Sequence, residues 1–374
     1  MAGRLQQHFT PLEGGASWVL RRFMRASRSR FRADMKALVK TARGLGHVEL
    51  QDVPEPGVGP GQVKIRVRAA GICGTDLSGH PSLEVPVILG HELAGDVVEC
   101  GPRTHLRKVG ERVTSETTAH VCGRCRFCQS EDYNLCVARR GIATRAPGAF
   151  ASYLVIREES THVLPDHVSY EAGALCEPLA CAVHAVAEQG AVTSGETVLI
   201  LGPGPLGLLS VQVARACGAA VVAAGLAADG PRLELAKRLG ADRTVAVDRE
   251  DLGATASDVT GGYGFDVAVE CSGAAAGAKA ALAAVRTMGR FVQAGILHRE
   301  VTLDFDNVFF DREITLIGSH TQKPSSWRTA LAWLADRRVE LDSLLSDVLP
   351  MERWEEGFRR VGDRSAIKIV LTPP

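Results

Sequence analysis

Between residues 197 and 318 six short apolar runs, at 197–201, 221–224, 244–247, 266–270, 290–295 and 314–318, alternate with helix-like segments that include 206–217, 231–239 and 274–286. Runs that lack polar alternation have to be buried on both faces, which is the condition of a parallel sheet covered by helices. The pattern predicts an α/β fold whose second domain, residues 182–321, is a doubly wound six-stranded parallel sheet. Pro231 suits the first turn of a helix, and Gly240 and Gly289 suit helix exits.

The first of these runs leads directly into Gly202-Pro203-Gly204-Pro205-Leu206-Gly207 and then a helix. A bare Gly-x-Gly-x-x-Gly says little, but between a strand and a helix it has a mechanism. Gly202 permits the tight turn, Gly204 lets a pyrophosphate approach the backbone, and Gly207 lets helix and strand pack closely. The free amides of the helix, which begins at Pro205 and Leu206, then face the phosphates. The second strand ends at Gly225, where an NAD-binding chain would carry an acid for the ribose. With no carboxylate at that position, both NAD and NADP are admitted. Arg232 is the cation that would meet a 2′-phosphate, and Asp229 would reach the ribose if its loop folds inward.

The preceding region reads differently. In Gln62-Val63-Lys64-Ile65-Arg66-Val67-Arg68 apolar and polar residues alternate with period two, so one face seeks a core and the other meets water. Glycine- and proline-rich turns divide the chain to about residue 165 into short strands. Beyond His320 come a helix-like 327–334 and a closing strand, 367–371, expected to return to the first domain, so that 35–181 and 322–374 form one β-rich unit. The 374 residues carry 43 Lys+Arg against 43 Asp+Glu, which fits neither a solvating acidic tail nor a basic nucleic-acid binder. No apolar run approaches the ~20 residues of a membrane span. No nucleic-acid or membrane partner is therefore expected. Residues 1–34 are the exception, with seven Arg against Glu13 and Asp34. Such a leader is either a transit or membrane-surface segment or a disordered start, with Met35 opening the folded unit.

Four of the ten cysteines, Cys122, Cys125, Cys128 and Cys136, fall within fifteen residues. Thiols grouped this way in a reducing, cytoplasmic setting usually ligate metal. Four thiolates close the tetrahedral shell of zinc and leave no place for substrate, so this ion would be structural. A second, dispersed set consists of Cys73, His91 with Glu92, and Glu177 beside Cys176. One thiolate, one imidazole and carboxylates are a mixed set from which three protein ligands would leave an open position, the mark of a catalytic zinc.

The order of the Gly-Ile-Cys73-Gly-Thr75-Asp motif, Gly-His91-Glu92, the four-cysteine lobe, Glu177-Pro-Leu-Ala and the glycine turn resembles the zinc-containing medium-chain alcohol and polyol dehydrogenases, from Met35 to Pro374. The polyol branch with sorbitol dehydrogenase is the best match, and threonine 3-dehydrogenase is a near relative. The resemblance implies a GroES-like catalytic domain joined to a Rossmann domain. It implies one catalytic and one structural zinc per chain, NAD or NADP, and hydride transfer to or from a secondary alcohol. Cys73, His91 and Glu92 match family ligands of the catalytic zinc, and Glu177 matches the residue that ligates zinc or holds its water. Other branches put a Cys in that last place, which makes Cys176 a rival, but adjacent side chains point in different directions and the Glu177-Pro-Leu match favours Glu177. Thr75 matches the hydroxyl that begins the family's proton relay, and Lys368 matches a basic residue expected near the cofactor pyrophosphate.

This chain departs from the family at Ser78, where a relay His is common. His80 stands two residues further on, and the loop 77–86 is short. Since that loop lines the substrate cleft in relatives, the departures bear on which alcohol or ketone is bound. A zinc-free quinone or enone reductase and a nucleotide-binding sensor without turnover are the competing readings on this fold. The last parallel strand, at a sheet edge, has to be paired or covered, and relatives pair it across a dimer, so a homodimer or homotetramer is expected.

Overall fold

The computed structural model describes residues 34–78 and 83–374. The 1–33 segment, with nearly all of the basic leader, and His80 lie outside the described residues.

The six apolar runs form one parallel sheet of strands β1 (Thr197–Leu201), β2 (Ala220–Gly225), β3 (Arg243–Ala246), β4 (Phe265–Glu270), β5 (Val285–Gln293) and β6 (Thr315–Gly318). Their order is β3-β2-β1-β4-β5-β6. The order reverses beside β1, so the crevice that receives a dinucleotide opens at the carboxyl ends of β1 and β4. Helices Pro205–Ala216, Gly230–Arg238, Leu252–Thr260 and Ala275–Ala284 connect the strands. One expectation needs correcting: Gly289 is not a helix exit. The helix ends at Ala284, and Val285 is already extended, with φ −71° and ψ 141°. The register then jumps from Phe265 opposite Val285 to Val267 opposite Arg290, so 286–289 bulges out of the sheet.

The β-rich half is built on the ten-residue strand Gln62–Gly71, whose alternation buries Val63, Ile65 and Val67. Lys64, on the polar face, is also buried, because Glu55 and Glu99 each hold its ammonium at 2.8 Å. Strands Glu92–Cys100, Tyr153–Arg157 and Lys368–Thr372 all pair antiparallel with Gln62–Gly71. Among these, Lys368–Thr372 brings the chain's end back to its first sheet, 276 residues from Glu92 in sequence. The largest apolar cluster runs from Ala69 and Ala94 through helix Cys176–Val183 to Val198, Val267 and Trp327, so both sheets share a core.

Candidate active site and metal centres

Antiparallel pairing decides which end of the first sheet carries chemistry. Gly71 stands opposite Glu92, so Cys73, just beyond one strand, meets His91 and Glu92 at the start of the next. The ligand atoms of Cys73, His91 and Glu92 all lie within 4.8 Å of one another. Gly71 is required here, since a Cβ on it would come within 2.2 Å of Glu92 Oε2.

Two side chains that support this cluster carried no such role in the sequence reading. Asp76 is buried; its Oδ2 accepts from the Cys73 amide at 2.9 Å, and its Oδ1 lies 3.6 Å from His91 Nδ1. Burial alone would pull the His91 pKa down, but the charges of Asp76 and Cys73 outweigh it and hold the imidazole well above its usual value. The second is Lys368. Its Nζ donates to Glu92 Oε1 and Oε2 at 2.7 and 2.8 Å and to the Ile72 carbonyl at 3.0 Å. This corrects the expectation that Lys368 approaches the pyrophosphate. Pairing of its strand beside Gly71 and Ile72 leaves it 2% exposed, with its charge engaged by Glu92. Burial opposes that charge, and Glu92 with Cys73 more than restores it, so the Lys368 pKa is raised.

Helix Cys176–Val183 separates the two rivals. Cys176 is fully buried in the shared apolar cluster, and burial pushes its thiol up to about 12. Glu177 turns into the cleft with Pro178 and Cys181. Burial pushes its carboxyl up to about 7, opposed by the charge of His91. A polar chain continues from it: Cys181 Sγ lies 3.5 Å from Glu177 Oε1 and from Gln322 Oε1, and Gln322 Nε2 lies 3.5 Å from Thr117 Oγ1. Thr117 in turn accepts from Arg139 Nη2 at 2.7 Å. Arg139 also lines the cleft, and burial lowers its pKa despite Glu116 and Glu177. Nothing in the local sequence marked Arg139, because the residues it answers to, Thr117, Glu116 and Glu177, lie in a distant loop and on a helix.

The cleft, about 620 Å³, is lined from the first sheet by Cys73, Thr75, His91 and Glu177 and from the parallel sheet by Leu206, Ser272, Gly273 and Gly295. At its nucleotide end the three glycines are distinct. Gly202 has φ +100°, and a Cβ on it would strike Ser272 at 2.7 Å. A Cβ on Gly207 would sit 1.9 Å from the Gly202 carbonyl, so helix and turn touch backbone to backbone. Around Gly204, by contrast, there is open space, directly before the amides of helix Pro205–Ala216. That open backbone at a helix start fits a pyrophosphate. Arg232, the cation expected to meet a 2′-phosphate, has a partner within the chain: its Nη2 donates to the carbonyls of Arg364 and Ala366, at 3.0 and 2.7 Å, tying its helix to the C-terminal loop.

Away from the cleft, the sulfur atoms of Cys122, Cys125, Cys128 and Cys136 all lie within 4.8 Å of one another. The closest sulfur pairs are 3.6 Å (Cys125 to Cys128, and Cys136 to Cys122) and 3.9 Å (Cys122 to Cys128) apart. Sulfurs ~2.3 Å from a tetrahedral zinc are about 3.8 Å apart, so these thiols fit the ion. The Cys128 amide holds the Cys125 thiol down to about 6, toward the thiolate a metal needs. The lobe is seated on the segment joining the two halves by Asn134 Nδ2 to the His320 carbonyl, 2.9 Å, and by Lys323 to Asp132, 3.0 Å.

A glycine turn on a doubly wound sheet, facing a Cys-His-Glu cluster across a cleft with a four-thiol lobe beside it, defines a class: the chain belongs to the medium-chain zinc-dependent alcohol and polyol dehydrogenases. The family profiles "Zinc-binding dehydrogenase" and "Alcohol dehydrogenase GroES-like domain" match residues 205–336 and 59–166. The sorbitol dehydrogenase of Halalkalibacterium halodurans is 41% identical over 91% of this chain and 99% of its own. The D-arabitol-phosphate dehydrogenase of Enterococcus avium is 41% identical over 90% and 97%. Among solved structures, a zinc-binding dehydrogenase from Sinorhizobium meliloti 1021 bound to NADP has a TM-score of 0.83 and 32% identity, covering 91% of this chain and 100% of its own. The protein is an NAD(P)-dependent zinc dehydrogenase with a GroES-like and a Rossmann half. The zinc-free and non-catalytic readings are set aside by this likeness together with the metal-ligating clusters.

Proposed function

We propose that the protein oxidises a secondary alcohol of a polyol, sugar alcohol or amino alcohol, and reduces the matching ketone, in the cleft between the two halves. The observation that carries this reading is that Cys73, His91 and Glu177 line the same cleft as Leu206 of the glycine turn. The names of the two relatives at 41% identity support a polyol, free or phosphorylated.

When bound, zinc supplies Lewis acidity to a substrate hydroxyl, and NAD(P) accepts the hydride. Cys73, His91 and Glu92 would hold that zinc, with Glu177 as fourth ligand or as holder of its water. Asp76 orients the His91 ring, and Lys368 orients and neutralises Glu92, the kind of outer support that sets ligand geometry. Thr75, on the short helix Gly74–Ser78 and in the cleft wall, has a hydroxyl that would accept the substrate proton. Gly202, Gly204, Pro205, Leu206 and Gly207 would hold the pyrophosphate, which positions the cofactor for hydride transfer. Cys122, Cys125, Cys128 and Cys136 would hold a second zinc that never meets substrate.

The division into 35–181 with 322–374 and 182–321 is supported by the return of strand Lys368–Thr372 to the first sheet. Ten free cysteines, nine of them at the lobe or partly exposed elsewhere and only Cys176 deep in the core, suit a reducing compartment, which supports a cytoplasmic setting. Dimerisation through β6 is supported by its place at the sheet edge beside exposed Phe305 and Phe310. The test is zinc analysis with a panel of polyols, polyol phosphates, amino alcohols and simple alcohols under both cofactors. Two zinc ions per chain and turnover of a secondary polyol are expected. Fewer than one zinc, or no turnover anywhere on the panel, would sink the reading.

A further inference from the structure

The adenosine ribose of a dinucleotide lies at the carboxyl end of the second parallel strand. In this chain that strand, β2, ends at Gly225, and no side chain fits there: a Cβ would come within 2.8 Å of Pro203 Cγ and Cδ in the glycine turn. The position is nevertheless not without an acid. The 3-10 turn Ala227–Asp229 folds back on the strand, and Asp229 Oδ2 lies 3.2 Å from the place of that missing Cβ. It is held there by the Leu226 amide, which donates to it at 3.0 Å. The turn is pinned in its own right by the Ala227 amide, which donates to Asp248 Oδ1 at 2.6 Å from the loop after β3. Arg232, the cation that could have offset these charges, is engaged with the Arg364 and Ala366 carbonyls.

We propose that Asp229, four residues past the strand end, reads the adenosine ribose and makes this dehydrogenase selective for NAD over NADP. The inference rests on the dehydrogenase reading and names its cofactor. A vicinal 2′,3′-diol donates two hydrogen bonds to a carboxylate, whereas a 2′-phosphate in the same place meets like charge, with Asp248 adding to the repulsion. Likeness alone does not make this assignment, since a relative of the same fold was solved with NADP. The other cation in this loop cluster, Arg249, is exposed and follows Asp248.

Dissociation constants of NADH and NADPH, measured by nicotinamide fluorescence on the zinc-loaded protein without substrate, test the proposal alongside kcat/KM for each oxidised cofactor. NADH is expected to bind about 100-fold more tightly than NADPH. Asp229→Asn keeps an acceptor for the Leu226 amide while removing the charge, and Asp229→Ala removes both. Each should bring the two cofactors to within a few-fold. Equal affinities in the wild type, tighter NADPH, or an unchanged ratio in a folded Asp229→Asn protein would overturn the proposal, as would a preference for NADPH that Arg249→Ala abolishes. Binding of neither nucleotide would overturn the dehydrogenase reading as well, which separates the two failures.

Discussion

The two candidate metal clusters are built in opposite ways. The four thiols of the lobe come from one stretch of fifteen residues, and their sulfurs converge because a short loop around helix Arg126–Gln129 cannot take them far apart. The cleft cluster draws Cys73 from the exit of one strand and His91 and Glu92 from the entry of its antiparallel neighbour; Glu177 comes from a helix in the shared core and Lys368 from the last strand. A local cluster can close its shell around an ion with little help from the rest of the fold. A dispersed one is held open by the fold, and each ligand needs a partner behind it to stay in place.

That contrast can be broken most directly at the cleft. Cys73→Ser or His91→Ala should lower kcat/KM by at least about 10³-fold, since the several kcal/mol of Lewis-acid stabilisation go with the ion. The melting temperature should stay within a few degrees of wild type, and zinc analysis should find one ion retained. Loss of both ions from either variant would show that the clusters are not independent.

Lys368→Met tests whether the cleft depends on distant support. Leaving Glu92 buried and unpaired should cost about 3–5 kcal/mol of stability, read in a denaturant titration, and should weaken zinc retention against a chelator. Wild-type stability would mean that Glu92 finds its charge balance elsewhere. A smaller effect is expected from Asp76→Asn, which keeps the shape but removes the charge facing His91: about 10–100-fold in metal affinity or turnover. If kcat falls while zinc affinity does not, Asp76 acts on the reaction and not on ligand geometry.

The smallest effect on turnover belongs to Cys125→Ser. It should keep most of its activity at 25 °C while its melting temperature falls by about 5–10 °C. Equal melting of variant and wild type would contradict the division of roles. A fall in turnover as large as that of Cys73→Ser would instead mean that the lobe, through Asn134 and Lys323, positions the cleft.

The candidate site was legible where chemistry follows chain order and obscure where it depends on what the fold brings near. The four-cysteine spacing and the glycine turn could be read directly, because each performs its task within a few residues. The six parallel strands were legible from their unalternating apolar runs, although β5 begins earlier than its run suggested, since the bulge at 286–289 interrupts the apolar pattern without ending the strand. Lys368 was found as a basic residue but assigned the wrong partner, because its contact with Glu92 spans 276 residues. Arg139 and the polar chain to Glu177 left no signal at all, being assembled from side chains on separate elements.

By itself the sequence determined the two-part architecture, the thiol lobe and the turn that receives a dinucleotide, since periodicity and short-range spacing act through local geometry and burial. Only the tertiary structure decided that Lys368 answers Glu92, that Glu177 and not Cys176 enters the cleft, and that Asp229 returns to the place Gly225 leaves empty. Those outcomes depend on strand register and loop folding, in which a shift of one residue turns a side chain from cleft to core.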